Sequence, residues 1–292
     1  MKYGVLDIGS NSVRLMISQD GITQYKCVKT TRLAENMGTD NVLQMAPIER
    51  TAQAVSFFVK KAQEEFAEKI YIFATAAVRQ AENKAVFLSL VKQLTGYDVD
   101  VIDGIEEANL GAIGALNGND GGVIDVGGAS SEVLIIKDGK TIFTKSLDVG
   151  AVKIFNQCGQ DSDKILSLTS DKAKQFESIP SSNFFGIGGT ATTLASIDQK
   201  MKTYNPKLIH GHVLSIERVK QIRDMLLSMT LEEKFALDGL QKERAEVISG
   251  GVAMIYAILK KANANQITIS ESDNLEGYLL SKGKVNEKAE YN

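Results

Sequence analysis

The sequence predicts an α/β protein of two similar halves, each built on a mixed sheet, with a cleft between them. Three observations carry that prediction. Strand-like and helix-like stretches alternate along the 292 residues. A twenty-residue segment near the start recurs in mid-chain. A run of turn-forming residues, Asn117-Gly118-Asn119-Asp120-Gly121-Gly122, separates the two copies.

Taken in order, short apolar and β-branched runs predict strands at 3–6, 13–18 and 23–28, with Asp20-Gly21 as a tight hairpin turn. Residues 47–68 have helical spacing, with Ile48, Thr51, Val55, Phe58, Val59 and Ala62 on one face. A buried strand at 70–74 follows, then a helix at 83–95 ended by Gly96, a strand at 97–102 and a helix at 106–116. Past the linker the order restarts, with strands at 123–126, 132–137, 141–146 and 184–187. Helices are expected from 190 to 198, 215 to 229 and 244 to 261, then a strand at 267–270 and a last helix at 275–281. The polar tail from Lys282 is expected to fray.

Residues 4–23 align on 122–141 without a gap, and nine of the twenty positions are identical. The matches include Asp7 with Asp125, Gly9 with Gly127, Ser12 with Ser130 and Asp20-Gly21 with Asp138-Gly139. Each half therefore opens as strand, acidic glycine turn, strand, Asp-Gly turn, strand. Two copies of one unit facing each other would aim two acids and two glycine turns into one cleft.

Glycine lets backbone N–H groups approach an anion closely, and successive N–H groups form a nest for phosphate oxygens. Ser10, Asn11 and Ser12 in the first turn, and Gly127, Gly128, Ser130 and Ser131 in the second, add donors and room. Asp7 and Asp125 would repel phosphate directly, so the pattern calls for a bridging cation. Mg²⁺ suits, because it takes one or two carboxylates, keeps waters and binds phosphate oxygens. A third turn, Gly188-Gly189-Thr190, lies between a strand and a helix and puts a helix N-terminus behind a phosphate-sized loop.

Composition excludes other classes. Net charge is −3, so no broad basic field draws the chain to nucleic acid. With 43% hydrophobic residues the chain can bury a proper core, yet no apolar run is long enough to span a bilayer, and Asp7 interrupts the first one. A cytoplasmic protein with two reduced thiols, Cys27 and Cys158, is expected. Gly139-Lys140-Thr141 is no P-loop, because Leu134 stands where that spacing requires glycine. Two histidines are too few for an imidazole-built two-metal site.

The segments DIGSNSVRL (7–15), TRLAE (31–35), ATAAVRQAEN (74–83), GIEEANL (104–110), VIDVGGASSEV (123–133), DVGAVKI (148–154), GIGGTATTLA (186–195) and IHGHVLS (209–215) resemble the exopolyphosphatase and guanosine pentaphosphate phosphohydrolase (Ppx/GppA) family. That family belongs to the acetate kinase–actin–Hsp70 superfamily. The resemblance implies two actin-like (ribonuclease H-like) domains with mixed five-stranded sheets, at 1–118 and 119–292, the last helix packing back on the first domain. It implies the short, two-domain form and a homodimer. It also implies hydrolysis of a terminal phosphoanhydride on inorganic polyphosphate, or on guanosine pentaphosphate as the alternative substrate. A binding protein of the same fold without turnover is a third reading.

The resemblance assigns roles as well. Glu107 would be the general base on the attacking water, Asp125 and Glu132 with Asp7 the metal candidates, and Arg79 a ligand of the phosphate chain. Arg14 and Arg32 are weaker candidates. The sequence departs from the family wording at Ala129, usually glycine, and at Asp103, usually serine. Ala129 limits backbone freedom in the second turn, and Asp103 adds negative charge beside the expected anion site.

Overall fold

The computed structural model describes residues 1–38 and 40–289, with side chains through residue 282. The first half contains β1 (Lys2–Ile8), β2 (Ser12–Gln19), β3 (Ile22–Thr30), α1 (Met45–Glu64), β4 (Lys69–Ala74), α2 (Ala76–Gln80), α3 (Lys84–Thr95), β5 (Asp100–Val101) and α4 (Gly104–Leu116). The second opens with β6 (Gly121–Val126), β7 (Ser131–Lys137), β8 (Lys140–Leu147), α5 (Ala151–Cys158), α6 (Ser162–Lys174), β9 (Phe184–Ile187) and α7 (Gly188–Asp198). It continues with α8 (Pro206–Ile209), β10 (Val213–Ser215), α9 (Ile216–Ser228), α10 (Leu231–Phe235), α11 (Ile248–Lys261), β11 (Gln266–Ile269) and α12 (Asn274–Ala289), with a 3-10 turn at Lys242–Arg244 before α11.

The two sheets share one plan. The first has order β3-β2-β1-β4-β5 and the second β8-β7-β6-β9-β11-β10. In each, the leading strand pairs antiparallel with the next strand and parallel with a later one, β4 or β9. The repeat extends to register: Asp7 stands opposite Arg14, and Asp125 opposite Glu132. Both Asp-Gly turns have left-handed backbone at both residues, Asp20 and Gly21 at φ 51° and 80°, Asp138 and Gly139 at φ 52° and 68°. That is the twist-matched hairpin turn such pairs favour. The first sheet has the expected five strands. The second gains a sixth, β10, whose three residues pair antiparallel with β11 at the edge.

Helices cover the outer faces. All six predicted contact residues of α1 are buried, and all but Thr51 meet Ile8, Leu15 and Val13 of the sheet and Phe87 and Val91 of α3 in one apolar cluster. Each such Val, Ile or Phe side chain removed from water contributes about 1.5–3 kcal/mol. The inner helices change sides. α4 lies in the first half of the chain, but Ala108, Ala112 and Leu116 pack on Val123, Leu134 and Ile187 of the second sheet. α12 covers the first sheet instead, with Leu275 and Tyr278 against Val5, Met16 and Phe73. Tyr278 stacks on Phe73 at 4.5 Å between ring centroids. The two helices touch where Gly277 lies against the Leu110 carbonyl, a contact that leaves no space for a Cβ. This crossing brings the α4 N-terminus and the start of α12 to the junction between the halves.

Several boundaries differ from the sequence reading. The strand expected at 97–102 forms only two ladder residues, β5. Residues 147–183 carried no predicted helix and hold α5 and α6. The last helix runs beyond 281 to Ala289, so residues expected to fray are helical as far as that, and 290–292 lie outside the described residues.

Candidate active site

The two acidic turns close identically: Gly9 N–H donates to Ser12 O at 3.0 Å and Gly127 N–H to Ser130 O at 3.0 Å. Their outward carbonyls anchor the segments around them. Asn11 O accepts from the Thr31 and Arg32 amides and Ser10 O from Ala34, so the TRLAE loop is fixed to the first turn. Gly127 O accepts from Ala151 and Gly128 O from Val152 and Lys153, so the first turn of α5 is fixed to the second. Across the junction the turn tips meet: a Cβ on Gly128 would stand 2.6 Å from the Ser10 Cβ. Only glycine permits that approach. The third turn follows β9, where Thr190 Oγ1 donates to Val126 O at 2.6 Å and ties α7 to the second turn.

These turns enclose one cleft of about 90 Å³. The candidate residues from the sequence line it except Arg32, Arg79, Ser131 and Glu132. Arg79, on α2, reaches the cleft indirectly: its Nη1 donates to Glu107 Oε2 at 2.9 Å and to Ile102 O at 3.0 Å. Glu132 stands behind Asp125 and accepts from Ser146 Oγ at 2.7 Å.

Glu106 and Glu107 are adjacent in sequence, but the helix turns them apart. Glu106 is exposed, and Glu107 is 6% exposed and faces the cleft. Asp103 caps α4, its Oδ1 accepting from the Ile105 and Glu106 amides at 2.8 Å each. The acid that departs from the family wording thus holds the helix start in place. Ala129 is fully buried, and its backbone is not left-handed, so the turn needs no glycine there.

The carboxylates divide by their partners. Asp7 accepts from Arg14 Nε at 3.0 Å and also pairs with Nη2, while Arg14 Nη1 binds Asp273. Asp125 has only a long contact, 3.4 Å, from the Asn274 amide. Burial is the first cause that pushes Glu107 up to about 7, with Arg79 pulling it back. Burial also pushes Asp125 up to about 8, and the neighbouring Glu107 adds to the rise. Glu132 is raised well above its ordinary value by burial and by the charges of Glu107 and Asp125. Three negative groups in low dielectric, with Arg79 the sole direct cation partner among them, lack positive charge.

Unsatisfied polar atoms collect at the same place. Asp7 Oδ1, Ser10 Oγ, Asn11 Nδ2, Glu132 Oε2 and Asn274 Oδ1 are buried without a hydrogen-bond partner. Such atoms are uncommon in folded proteins and here surround one cleft, consistent with a ligand-holding site. Among the described residues no three His, Cys, Asp or Glu side chains form a ready metal cluster.

Sequence reasoning missed some of the lining. Arg244 lies over Gly189, half-buried, and its one side-chain hydrogen bond among the described residues is to Gln241 Oε1 at 3.2 Å. Burial and the like charge of Arg14 lower its pKa, and no carboxylate pairs with it among the described residues. No motif marks Arg244 in the sequence; only the fold of the 3-10 turn onto α7 reveals it. Arg14, a weak sequence candidate, lines the cleft, whereas Arg32 pairs with Glu246 at 2.7 Å outside it. Behind Arg14, Gly188, Gly189 and Arg244 the cleft opens into a second chamber of about 190 Å³, which includes Tyr204 and Glu271. Cys27 lines that chamber too, and both cysteines are free.

Two like sheets meeting through paired acidic glycine turns, with a buried carboxylate near neutrality between them, define an actin-like phosphohydrolase. The chain belongs to the Ppx/GppA phosphatase family, whose family model matches residues 23–285. It is 28% identical to exopolyphosphatase 2 of Mycobacterium tuberculosis over 96% of this chain and 98% of that one. It is 27% identical to the guanosine-5'-triphosphate,3'-diphosphate pyrophosphatase of Photobacterium profundum over 94% of this chain, which spans 58% of that longer protein. Among solved structures, the Ppx/GppA family member of Aquifex aeolicus superposes with a TM-score of 0.79 at 27% identity, covering 98% of both chains. No helix among the described residues is long and apolar enough to cross a membrane.

Proposed function

We propose that this chain is an exopolyphosphatase, which releases terminal orthophosphate from inorganic polyphosphate by attack of water. The observation that carries the reading is Glu107: a buried carboxylate near pKa 7, in a cleft lined by three phosphate-sized turns. A general base works best when its pKa lies near the working pH. Glu107 would take the proton from the attacking water. Arg79 fixes the Glu107 carboxylate and offers its remaining donors to the phosphate. Turn amides and the hydroxyls of Ser10, Ser12 and Ser130 would hold the terminal phosphoryl oxygens as charge develops. The turn and side-chain donors of Asn11, Gly127, Gly128, Gly188, Gly189 and Thr190 complete the cradle.

A Mg²⁺ ion fits the donors present. The under-partnered carboxylate of Asp125 and the orphaned oxygens Asp7 Oδ1 and Glu132 Oε2 are hard ligands. One or two of them with waters and phosphate oxygens would complete its shell. When bound, the ion supplies positive charge to the phosphate oxygens. A division near residue 118 into two domains is part of the same reading, with the cleft between them.

A second reading, guanosine pentaphosphate as substrate, is favoured by the chamber behind Arg244. Tyr204 offers a ring and Glu271 a carboxylate, groups that suit a nucleoside better than a phosphate chain. The third reading, a fold without turnover, leans on Ala129 and Asp103, and both have ordinary structural roles here.

The test is phosphate release from long-chain polyphosphate and from guanosine pentaphosphate, with and without Mg²⁺, by wild type and Glu107→Gln. Release from polyphosphate that is lost in the variant is expected. Release from guanosine pentaphosphate alone would favour the second reading, and release from neither would end both. Full activity in Glu107→Gln would remove Glu107 from the role of base.

A further inference from the structure

The segment DVGAVKI does more than anchor the second turn. α5 starts with its amides on Gly127 O and Gly128 O, so its first turn is rigidly placed. Ala151 and Val152 line the cleft, and the next residue, Lys153, points to the other side of the same helical turn. There it lines a separate cavity of about 470 Å³, bounded by Asn36, Met37, Gly38 and Asn41 of the first half and by α5.

This cavity suits a chain of phosphates. Its side chains include the amides of Asn36, Asn41 and Gln157, and Asn156, which ties α5 to Ala34 O at 3.1 Å. The single acid, Asp148, already accepts from Gln80 Nε2 at 2.6 Å. Lys153 is half-buried and makes no side-chain hydrogen bond or ion pair among the described residues. Burial lowers its pKa, Asp148 is the nearest opposing influence, and the positive charges of Lys172 and Arg79 add to the lowering. The chamber behind Arg244 is different, because two of its cations, Arg14 and Lys26, are already paired with Asp273.

We propose that a polyphosphate chain leaves the cleft past Arg79, crosses the first turn of α5 at Lys153 and continues into this amide-lined cavity, so that Lys153 sets the preference for long chains. The inference rests on the exopolyphosphatase reading and names the path of its substrate. Lys153 is a specificity residue that touches the chain beyond the reacting phosphate.

The test compares wild type, Lys153→Gln and Lys153→Arg on long-chain polyphosphate and on tripolyphosphate. One charge-assisted contact is worth roughly 1.5 kcal/mol, about ten-fold in an equilibrium constant. Lys153→Gln should raise KM for the long chain about ten-fold, leave kcat unchanged, and change KM for tripolyphosphate by less than about two-fold. Lys153→Arg should restore the wild-type KM. An equal change on both substrates, or none on either, overturns the proposal. Binding of long-chain polyphosphate, measured by calorimetry on Glu107→Gln with and without Lys153→Gln, tests the same contact without turnover. If wild type releases no phosphate, the catalytic reading falls. The binding arm still decides Lys153: weakening of about ten-fold supports it, and no change refutes it.

Discussion

The ionisation of Glu107 can be moved by one substitution, Arg79→Gln, which keeps a hydrogen-bond donor and removes the charge. Glu107 sits at about 7 because burial raises it and the Arg79 guanidinium, 2.9 Å away, partly offsets the rise. Without that charge, burial and the neighbouring Asp7 act with only the smaller influence of Arg14 against them. An opposite charge in contact is worth about 1–3 pKa units, or roughly 1.4–4 kcal/mol. The direction is upward, since only the charged form of Glu107 benefits from Arg79. The assay is kcat/KM for phosphate release from about pH 5 to pH 10, whose acid limb reports the free enzyme's base. In wild type the limb should lie near 7, and in Arg79→Gln it should move up by at least about one unit. The plateau will also drop if Arg79 holds phosphate, but the position of the limb does not depend on its height. A limb that stays in place, or moves down, would refute the assignment of Glu107 as a base restrained by Arg79.

Three further outcomes are expected. Asp125 rises from 3.8 to about 8 on folding, so the folded state keeps a proton that the unfolded state gives up. Without divalent cation, Tm should therefore fall as pH rises between those values, and Asp125→Asn should flatten the slope; a Tm that climbs over this window contradicts it. Gly128→Ala puts a Cβ 2.6 Å from Ser10 Cβ and 3.2 Å from Val152 Cγ2, and should cost about 1–3 kcal/mol in urea unfolding while slowing phosphate release. Unaltered stability would mean that the turn tips are not in contact. Ala129→Gly should cost about 0.5–1 kcal/mol in stability and leave kcat/KM within about two-fold; a large gain in activity would show that the turn does need glycine there.

The internal repeat made most of the fold legible. Nine identities in twenty aligned positions fixed the turn spacing, and equal spacing gives equal register, Asp7 on Arg14 and Asp125 on Glu132. The facing turns and their donors followed from it. What stayed hidden depends on long-range packing. Which of Glu106 and Glu107 faces the cleft depends on how α4 lies on the second sheet, because adjacent helical residues point about 100° apart. Arg14 meets Asp273 across 259 residues of sequence, through the exchange of α4 and α12 between the sheets. Arg244 reaches Gly189 by a similar distant fold. α5 has no local sign in the sequence, because its start is set by the carbonyls of Gly127 and Gly128 rather than by a side-chain cap.

The place where the repeat is broken decides how charge is distributed across the cleft. Arg14 and Glu132 occupy equivalent positions, each across the ladder from the acid of its own turn. In the first half the result is neutralisation: Asp7 is paired, and the surplus reach of Arg14 also satisfies Asp273. In the second half the same position adds a second carboxylate beside Asp125, and both are driven toward the protonated form. One unit with equal charges on both sides would give a symmetric cleft with no preferred end for a phosphate chain. Exchanging arginine for glutamate at a single position gives Asp7 a cation partner and leaves Asp125 and Glu132 without one. On the proposed reading, a divalent cation would be held on the Asp125 side, where Asp125 and Glu132 lack a cation partner and Glu107 stands close by.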